Sequence, residues 1–196
     1  SFRVEQGGLH QAIIKTIHEI EADLVVMGTN GSSGLTEALI GSNSEKIVRT
    51  APVPIISIHK DQKISQIRNI VFPTAIDLEQ HRFIWQLRAL QSFFNAHLHL
   101  LYVKTPDSIN TDKTLTGMLT DLGNYYSLTN YSVHITHAAS EEKGVLKFAA
   151  RMPASMIAMA THGYTGLTHL MLGSVAENVI NHANEAVWTW KLSGQL

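Results

Sequence analysis

The chain has 196 residues, of which 44% are hydrophobic and 16% are charged, with a formal net charge of −1. This composition is typical of a folded protein with a sizeable core, and it excludes a disordered chain and the basic footprint of a nucleic-acid-binding protein. Because there is no cysteine, thiol chemistry and disulfides are excluded, and because no apolar run is long enough for a bilayer, we expect a cytoplasmic protein.

The first sixty residues predict a short series of alternating strands and helices. In chain order they are a strand at residues 2–5, a helix at 9–20, an apolar strand ending near Gly28, a helix beginning near Glu45 and a strand at 54–59. A glycine-rich loop lies between the second strand and the second helix. A short polar stretch, residues 61–66, follows the last strand.

The rest of the chain predicts a longer series of the same kind. Predicted strands lie at residues 69–73, 97–103, 131–137, 156–160 and 186–192, with helices at 83–94, 115–122 and 141–152 and after Gly173-Ser174. Asp77 is a candidate cap for the first of these helices. Trp188 and Trp190 share one face of the last strand, and burial under a helix is favoured over a stacking site. Strands that alternate with helices predict a parallel sheet covered on both faces.

An internal repeat organises the chain. The segment GTNGSSGLTEALIGS returns as ATHGYTGLTHLMLGS, and a shift of 132 residues aligns residues 22–51 with 154–183 without a gap. Eleven of those thirty positions are identical. We therefore expect two copies of one unit. Residues 1–60 would be the C-terminal half of a first copy, and residues 61–196 a complete second copy.

The repeated loop is the candidate site for chemistry. It leaves the carboxyl end of a predicted buried strand and delivers the chain to a helix amino terminus, where main-chain N–H groups favour phosphates. Gly28 and Gly31 begin the turn in the first copy, and Gly41-Ser42 precedes its helix. The open alternative is a glycine-rich loop that only caps a helix, because short glycine patterns are weak signals.

These residues resemble the universal stress protein family. Its adenine-nucleotide motif is similar to the spacing Gly28-x-x-Gly31, nine residues, then Gly41-Ser42. Residues Leu172 to Glu177 closely match the sequence that is most common in the family at this motif. The resemblance implies a flavodoxin-like or Rossmann-like α/β fold, an open parallel sheet of order 3-2-1-4-5. It implies ATP or a related adenine nucleotide, with or without magnesium, and a regulatory role in stress response. The implied contact residues are Gly28, Asn30, Gly31, Gly41, Ser42, Asn43, His162, Gly163, Gly173, Ser174 and Val175.

Departures from the family pattern predict two unequal sites. The second copy has Ala160 in place of the first motif glycine and Ala75 in place of the aspartate that usually follows the first strand. We therefore expect its nucleotide site to be degraded. Relative to the second copy, about seventy residues of the first are missing, so we expect a longer native chain or a second chain that completes the sheet. We also expect residues 54–59 to pair with residues 186–191, within one chain or in a homodimer.

Three functions stay open from the sequence. The first is a nucleotide-responsive regulatory module, the second is a scaffold without nucleotide that acts through dimerisation or partner binding, and the third is a weak ATPase. The loops have no Walker lysine, and Ser42 and Ser174 have no evident base, so an enzyme is disfavoured. His97 and His99 share a strand face but have no evident third ligand, so we predict no metal site. No nucleic-acid or membrane partner is expected.

Overall fold

The computed structural model of the protein describes residues 4, 7–28, 42–58, 62–161 and 170–191. Within these ranges the strands are β1 (Val25–Gly28), β2 (Ile55–Ile58), β3 (Asn69–Pro73), β4 (His97–Lys104), β5 (Tyr131–His137), β6 (Ser155–Ala160) and β7 (Ala186–Trp190). The α-helices are α1 (Leu9–Glu19), α2 (Ser42–Thr50), α3 (His81–Phe94), α4 (Asp112–Tyr125), α5 (Glu141–Ala149) and α6 (Leu170–His182). A short 3₁₀ helix, Ile64–Gln66, lies in the polar stretch between β2 and β3.

The strands form one continuous sheet in the order β1-β2-β7-β6-β3-β4-β5. The five strands from β3 to β7, numbered along the chain, follow the expected 3-2-1-4-5 order, and the α/β fold class is confirmed. The complete sheet differs from the expectation because it has seven described strands and is not wholly parallel. Its antiparallel pair is β2 with β7.

The predicted pairing of the last strands is confirmed within one chain. Ile56 lies opposite Trp188, its counterpart at the 132-residue shift, and Ile55 opposite Thr189 mirrors Ser57 opposite Val187. The register is therefore symmetric about the Ile56–Trp188 pair, as in a two-fold interface. The outer side of β2 pairs with β1 and that of β7 with β6, so neither last strand offers an edge to a second chain.

The 132-residue shift also relates the bounds of the secondary structure. Adding 132 to the ends of β1, α2 and β2, at residues 28, 50 and 58, gives 160, 182 and 190, where β6, α6 and β7 end. Adding it to residue 9, the start of α1, gives 141, where α5 starts. The helices and strands of the first sixty residues thus lie at the same relative sequence positions as their counterparts in the last sixty.

Two apolar layers cover the sheet. Buried residues of α3 and α4 form one layer with inward residues of β3, β4, β6 and β7. Buried residues of α1, α2, α5 and α6 form the other. Trp188 lies in the first layer with its ring centroid 5.4 Å from that of Phe83, which confirms its predicted place in the core.

Three local expectations need correction or fall outside the description. α2 begins at Ser42, before Glu45, and α6 begins at Leu170, so Gly173 and Ser174 lie inside that helix and do not precede it. Asp77 does not cap α3, whose N-cap is Gln80 without a side-chain hydrogen bond. Of the strand expected at residues 2–5, only residue 4 is described, and it is exposed and outside any regular element.

Candidate functional site

A crevice opens where the chain connections of the sheet diverge. β3 and β6 are parallel neighbours, with Val71 opposite Ile157. β3 continues through α3 to β4 on one side, whereas β6 continues through α6 to β7 on the other. Small ligands of open α/β sheets bind at such a divergence, outside the carboxyl ends of the two strands. This crevice is therefore the candidate site within the described part of the chain.

The segment after β3 forms one wall of the crevice and is held by its own side chains. The Ile76 N–H donates to Thr74 Oγ1 at 3.0 Å, and the Glu79 N–H donates to Asp77 Oδ1 at 2.8 Å. Ile76 has φ of 62°, a left-handed conformation that a β-branched residue rarely adopts and that costs about 1–3 kcal/mol. The Asp77 carboxylate is thus engaged in its own turn, and Ala75 between them has no acceptor side chain.

Tyr126, the C-cap residue of α4, anchors the end of the same wall. The Tyr126 hydroxyl donates to the Leu78 carbonyl at 2.6 Å and accepts from the Gln80 N–H at 3.1 Å. Burial raises the pKa of Tyr126, and the hydrogen bond from Gln80 opposes that rise. The hydroxyl is therefore protonated at neutral pH and available as the donor to Leu78. This anchor joins α4 to the connection between β3 and α3.

Thr161, the residue after β6, places a buried hydroxyl at the other wall. Its N–H donates to the Trp190 carbonyl at 3.1 Å, which extends the β6–β7 pairing by one residue. Its Oγ1 is buried and has no hydrogen-bond partner among the described residues. Buried hydroxyls are normally paired, so an unpaired one here is a candidate contact for a ligand. The sequence carried a signal for it, because Thr161 and Thr29 are identical in the two copies.

The predicted contact residues divide into three groups. Gly28 ends β1, and a Cβ atom built on it would have no described heavy atom within 4 Å. Ser42 and Asn43 begin α2, whereas Gly173, Ser174 and Val175 lie in the first turns of α6. Asn30, Gly31, Gly41, His162 and Gly163 lie outside the described residues. The two loops follow strands that run in opposite directions, because β2 pairs antiparallel with β7, so they leave the sheet at opposite ends.

The two helices that follow the loops are joined by an ion pair. Arg49 Nε of α2 donates to Glu177 Oε1 of α6 at 2.8 Å, on a partly exposed surface. This contact spans the boundary between the two copies beside the β2–β7 pair. The ion pair therefore holds α2 next to α6 beside the antiparallel β2–β7 pair.

The opposite end of the sheet holds a separate cavity. It has a volume of about 290 Å³ and is lined at the amino ends of β6 and β7 by Ser155, Ala186, Gln62, Lys63 and Asn184, among others. Because β3, β6 and β7 turn their amino ends to this cavity, it is distinct from the crevice at the carboxyl ends of β3 and β6.

The described residues contain neither a metal-binding cluster nor a membrane-spanning helix. Among them, no group of three or more histidine, aspartate or glutamate side chains is arranged to hold a metal ion. No described helix is long and apolar enough to cross a bilayer. His97 and His99 do share a face, as predicted, but their hydrogen-bond partners Ser132 and His134 were not identified from the sequence. The alternation of residues 131–137 puts Ser132 and His134 on one face of their strand, but it does not give the register with β4 that brings them to His97 and His99.

Comparisons with known proteins agree with the architecture. The Universal stress protein family matches residues 1–59 and 66–191. A universal stress protein of Mycobacterium bovis is 25% identical over 193 residues, which cover 89% of this chain and 64% of that protein. The chain thus spans less than two thirds of that relative's length.

Solved structures show the same fold. A universal stress protein from Archaeoglobus fulgidus superposes with a TM-score of 0.67 at 22% identity, covering 93% of this chain and 64% of that one. A universal stress protein solved in complex with cAMP superposes with a TM-score of 0.51 at 15% identity, covering 65% of this chain and 98% of that one.

Proposed function

The chain belongs to the universal stress protein family, and we propose that it is a regulatory module that binds an adenine nucleotide. A ligand would lie at the carboxyl end of β1, where one loop leads to α2, and another at the carboxyl end of β6, where the repeated loop leads to α6, at the opposite end of the sheet. Main-chain N–H groups of the glycine-rich loops would hold the phosphates. The structure solved with cAMP supports an adenine nucleotide as the class of ligand.

The buried hydroxyl of Thr161 is the observation that carries this proposal. It lies between β6 and the loop, at the divergence of chain connections, and has no partner among the described residues. Across the crevice, the wall after β3 contains the left-handed Ile76. Unpaired polar groups and strained main chain are concentrated at binding sites, because the ligand supplies the missing interaction.

We further propose that the chain is a tandem of two copies with unequal sites. The aligned bounds of α1 with α5, α2 with α6 and β2 with β7 support the tandem arrangement. In the second copy, Ala75 cannot accept a ribose hydroxyl, and Asp77 is engaged by the Glu79 N–H. One hydrogen bond to a charged group is worth about 1.5–3 kcal/mol, or roughly ten- to over a hundredfold in affinity. The second site is therefore the weaker one.

Isothermal titration of the full chain with ATP and with cAMP tests the proposal. Gly31→Val and Gly163→Val are matched variants, because residue 163 is residue 31 shifted by 132. We expect Gly31→Val to weaken the tighter binding at least tenfold and Gly163→Val to leave it unchanged. Unchanged binding in Gly31→Val would remove the first loop from the site. The double variant Ala75→Asp, Ala160→Gly should strengthen the second site.

The alternative is a scaffold without nucleotide, which the occupied Asp77 and the absent acceptor at Ala75 favour. The β2–β7 junction would then serve only to hold two copies together. Mass spectrometry of small molecules retained by the purified chain separates the two functions. A retained adenine nucleotide supports the regulatory module. No retained nucleotide together with no heat of binding at millimolar ATP supports the scaffold. Weak ATP hydrolysis, measured as released phosphate, would add the third candidate activity.

A further inference from the structure

Three histidine rings meet at one serine hydroxyl on the sheet face that α5 covers. Ser132 Oγ of β5 lies 3.0 Å from His97 Nε2, 3.2 Å from His99 Nδ1 and 2.8 Å from His134 Nε2. His99 Nδ1 and His134 Nε2 are themselves 3.1 Å apart. These four residues, which we call the histidine cluster, link β4 to β5. The candidate nucleotide site does not use them.

Two asparagines fix the position of the proton on two of the rings. The Asn69 amide donates to a main-chain carbonyl at 2.8 Å, so its oxygen accepts from His99 Nε2 at 3.0 Å. The Asn130 amide likewise donates to a carbonyl at 3.0 Å, and its oxygen accepts from His97 Nδ1 at 2.9 Å. His99 therefore presents a lone pair on Nδ1 to the cluster, and His97 presents one on Nε2.

The neutral cluster satisfies every group that faces inward. The Ser132 hydroxyl donates to His97 Nε2, and His134 Nε2–H is shared between Ser132 Oγ and His99 Nδ1. A further proton on His99 Nδ1 would point an N–H group at the N–H of His134. Adding a proton there replaces a hydrogen bond by a donor–donor contact, so with the protons in these positions the closed cluster holds His99 neutral.

The surroundings supply no charge that would stabilise a protonated ring. α5 presents Phe148, whose ring centroid lies 6.2 Å from that of His99 and 4.9 Å from that of His134. β3 presents only the neutral Asn69. Other charged groups nearby point elsewhere: Glu141, Lys143, Lys147 and Arg151 are exposed, Glu142 pairs with His182, and Arg68 binds the carbonyls of Ser65 and Ile67.

Burial and the neighbouring rings agree with this arrangement. Burial, then the charges of His134 and His97, lowers the pKa of His99 to about 4. Burial, then the charge of His97, lowers the pKa of His134 as well. In the unfolded chain a histidine has a pKa near 6.5. Acid therefore favours the state in which the cluster is opened to solvent, because a histidine ring binds a proton more readily there than in the closed cluster.

We propose that the histidine cluster is an acid-sensitive latch that holds β5 and α5 to the sheet at neutral pH and releases them on protonation. β5 is the outermost strand on its side and pairs only with β4 among the described strands. Its release leaves β3, β6, β7 and β2 paired. The stability that the latch contributes is complete above pH 6.5 and is lost as the pH falls toward 4.

The size of the effect follows from proton linkage. For one ring whose pKa changes from about 6.5 open to about 4 closed, the opening constant rises roughly fortyfold between pH 6.5 and pH 4.5. Because the rings are only partly shielded from solvent, we expect a rise of at least about tenfold.

Hydrogen exchange of the full chain, measured by mass spectrometry from pH 6.5 to 4.5 with EDTA present, tests the latch. We expect opening constants of β5 amides to rise at least tenfold relative to those of β7, the internal reference. The rise should disappear in His99→Gln, His134→Gln and persist in His18→Gln, which exchanges an exposed histidine of α1. Equal rises in β5 and β7, or a rise that persists in the double variant, would overturn the proposal.

A measurement on the unaltered chain keeps the test decisive if the double variant does not fold. Nitrogen-15 NMR of the histidine rings reports which nitrogen carries the proton. At pH 5.5 we expect a neutral His99 with its proton on Nε2. A positively charged His99 at that pH in the folded chain contradicts the latch.

Discussion

β1 and β6 occupy matching positions in the two copies, yet they differ sharply in burial. Leu24, just before β1, is 39% exposed and Val26 is 49% exposed, whereas their counterparts Met156 and Ala158 are 0% exposed. β6 lies between β7 and β3 and beneath α3. β1 pairs only with β2 among the described strands. The same sequence pattern is therefore core in one copy and surface in the other.

The last strands of the two copies show no such difference. Ile55 and Ile56 of β2 are as buried as Val187 and Trp188 of β7, because the two strands pair with each other. The comparison teaches that neighbours in the sheet, more than the apolar pattern of a strand, determine burial in this fold.

The largest effect should come from truncating the matched positions Met156 and Leu24. Met156→Ala removes a fully buried side chain from the core and should lower the free energy of unfolding by about 2–5 kcal/mol. Leu24→Ala should cost less than about 1 kcal/mol because its side chain already contacts water. Urea denaturation of the full chain measures both. Equal costs would mean that β1 is covered as completely as β6.

Matched substitutions in α5 and α1 should differ less in their effect on the free energy of unfolding. A Cβ on Gly144 would lie 2.3 Å from Val103 Cγ1, so Gly144→Ala should destabilise the chain by about 1–3 kcal/mol. Its counterpart at the 132-residue shift is Ala12, and Ala12→Gly should cost only about 0.5–1 kcal/mol through helix propensity.

A double-mutant cycle provides the control for that contact. Adding Val103→Ala to Gly144→Ala opens space for the new methyl group, so the combined cost should be smaller than the sum of the single costs. Additive costs would show that Gly144 of α5 does not lie close against Val103 of β4.

The sequence predicted local elements and the pairing of the last strands, because both depend on short-range patterns. β3 and β5 have the expected bounds, and β4, β6 and β7 differ by one or two residues at one end. The β2–β7 pair was predictable because two edge strands of a repeat conceal each other's main-chain groups.

Features that depend on close tertiary approach were not predictable from one sequence. Gly144 gives no sign in the sequence that Val103 will lie against it. Ser132 and His134 lie about 35 residues from their partners His97 and His99 and meet them only through the register of β4 with β5. The start of α6 at Leu170 was also missed, because Gly173 suggested a break.

The ion pair between α2 and α6 should contribute less to the free energy of unfolding than the buried positions above. Glu177→Gln removes the carboxylate that Arg49 binds at 2.8 Å, and a partly exposed pair of this kind is worth about 0.2–1 kcal/mol. The counterpart positions hold Glu45 and Asn181, a combination that cannot form a second ion pair. Glu45→Gln is therefore the matched control, and its cost should not depend on salt in the same way. The cost of Glu177→Gln should decrease in 1 M NaCl, and a salt-independent cost would argue against the ion pair.

The smallest effect on stability should come from Gly28→Ala, which makes the end of β1 match Ala160 at the end of β6. No described atom lies within 4 Å of the added Cβ, so the free energy of unfolding should change by less than about 0.5 kcal/mol. Affinity for an adenine nucleotide should nevertheless fall, because the methyl group lies where the loop main chain is proposed to approach a phosphate. Thermal unfolding without ligand and calorimetric titration with ATP separate the two quantities, and Ala160→Gly provides the reciprocal variant. If Gly28→Ala lowers stability and leaves affinity unchanged, then the glycine serves the fold of the first copy, and the difference between the two sites must lie elsewhere.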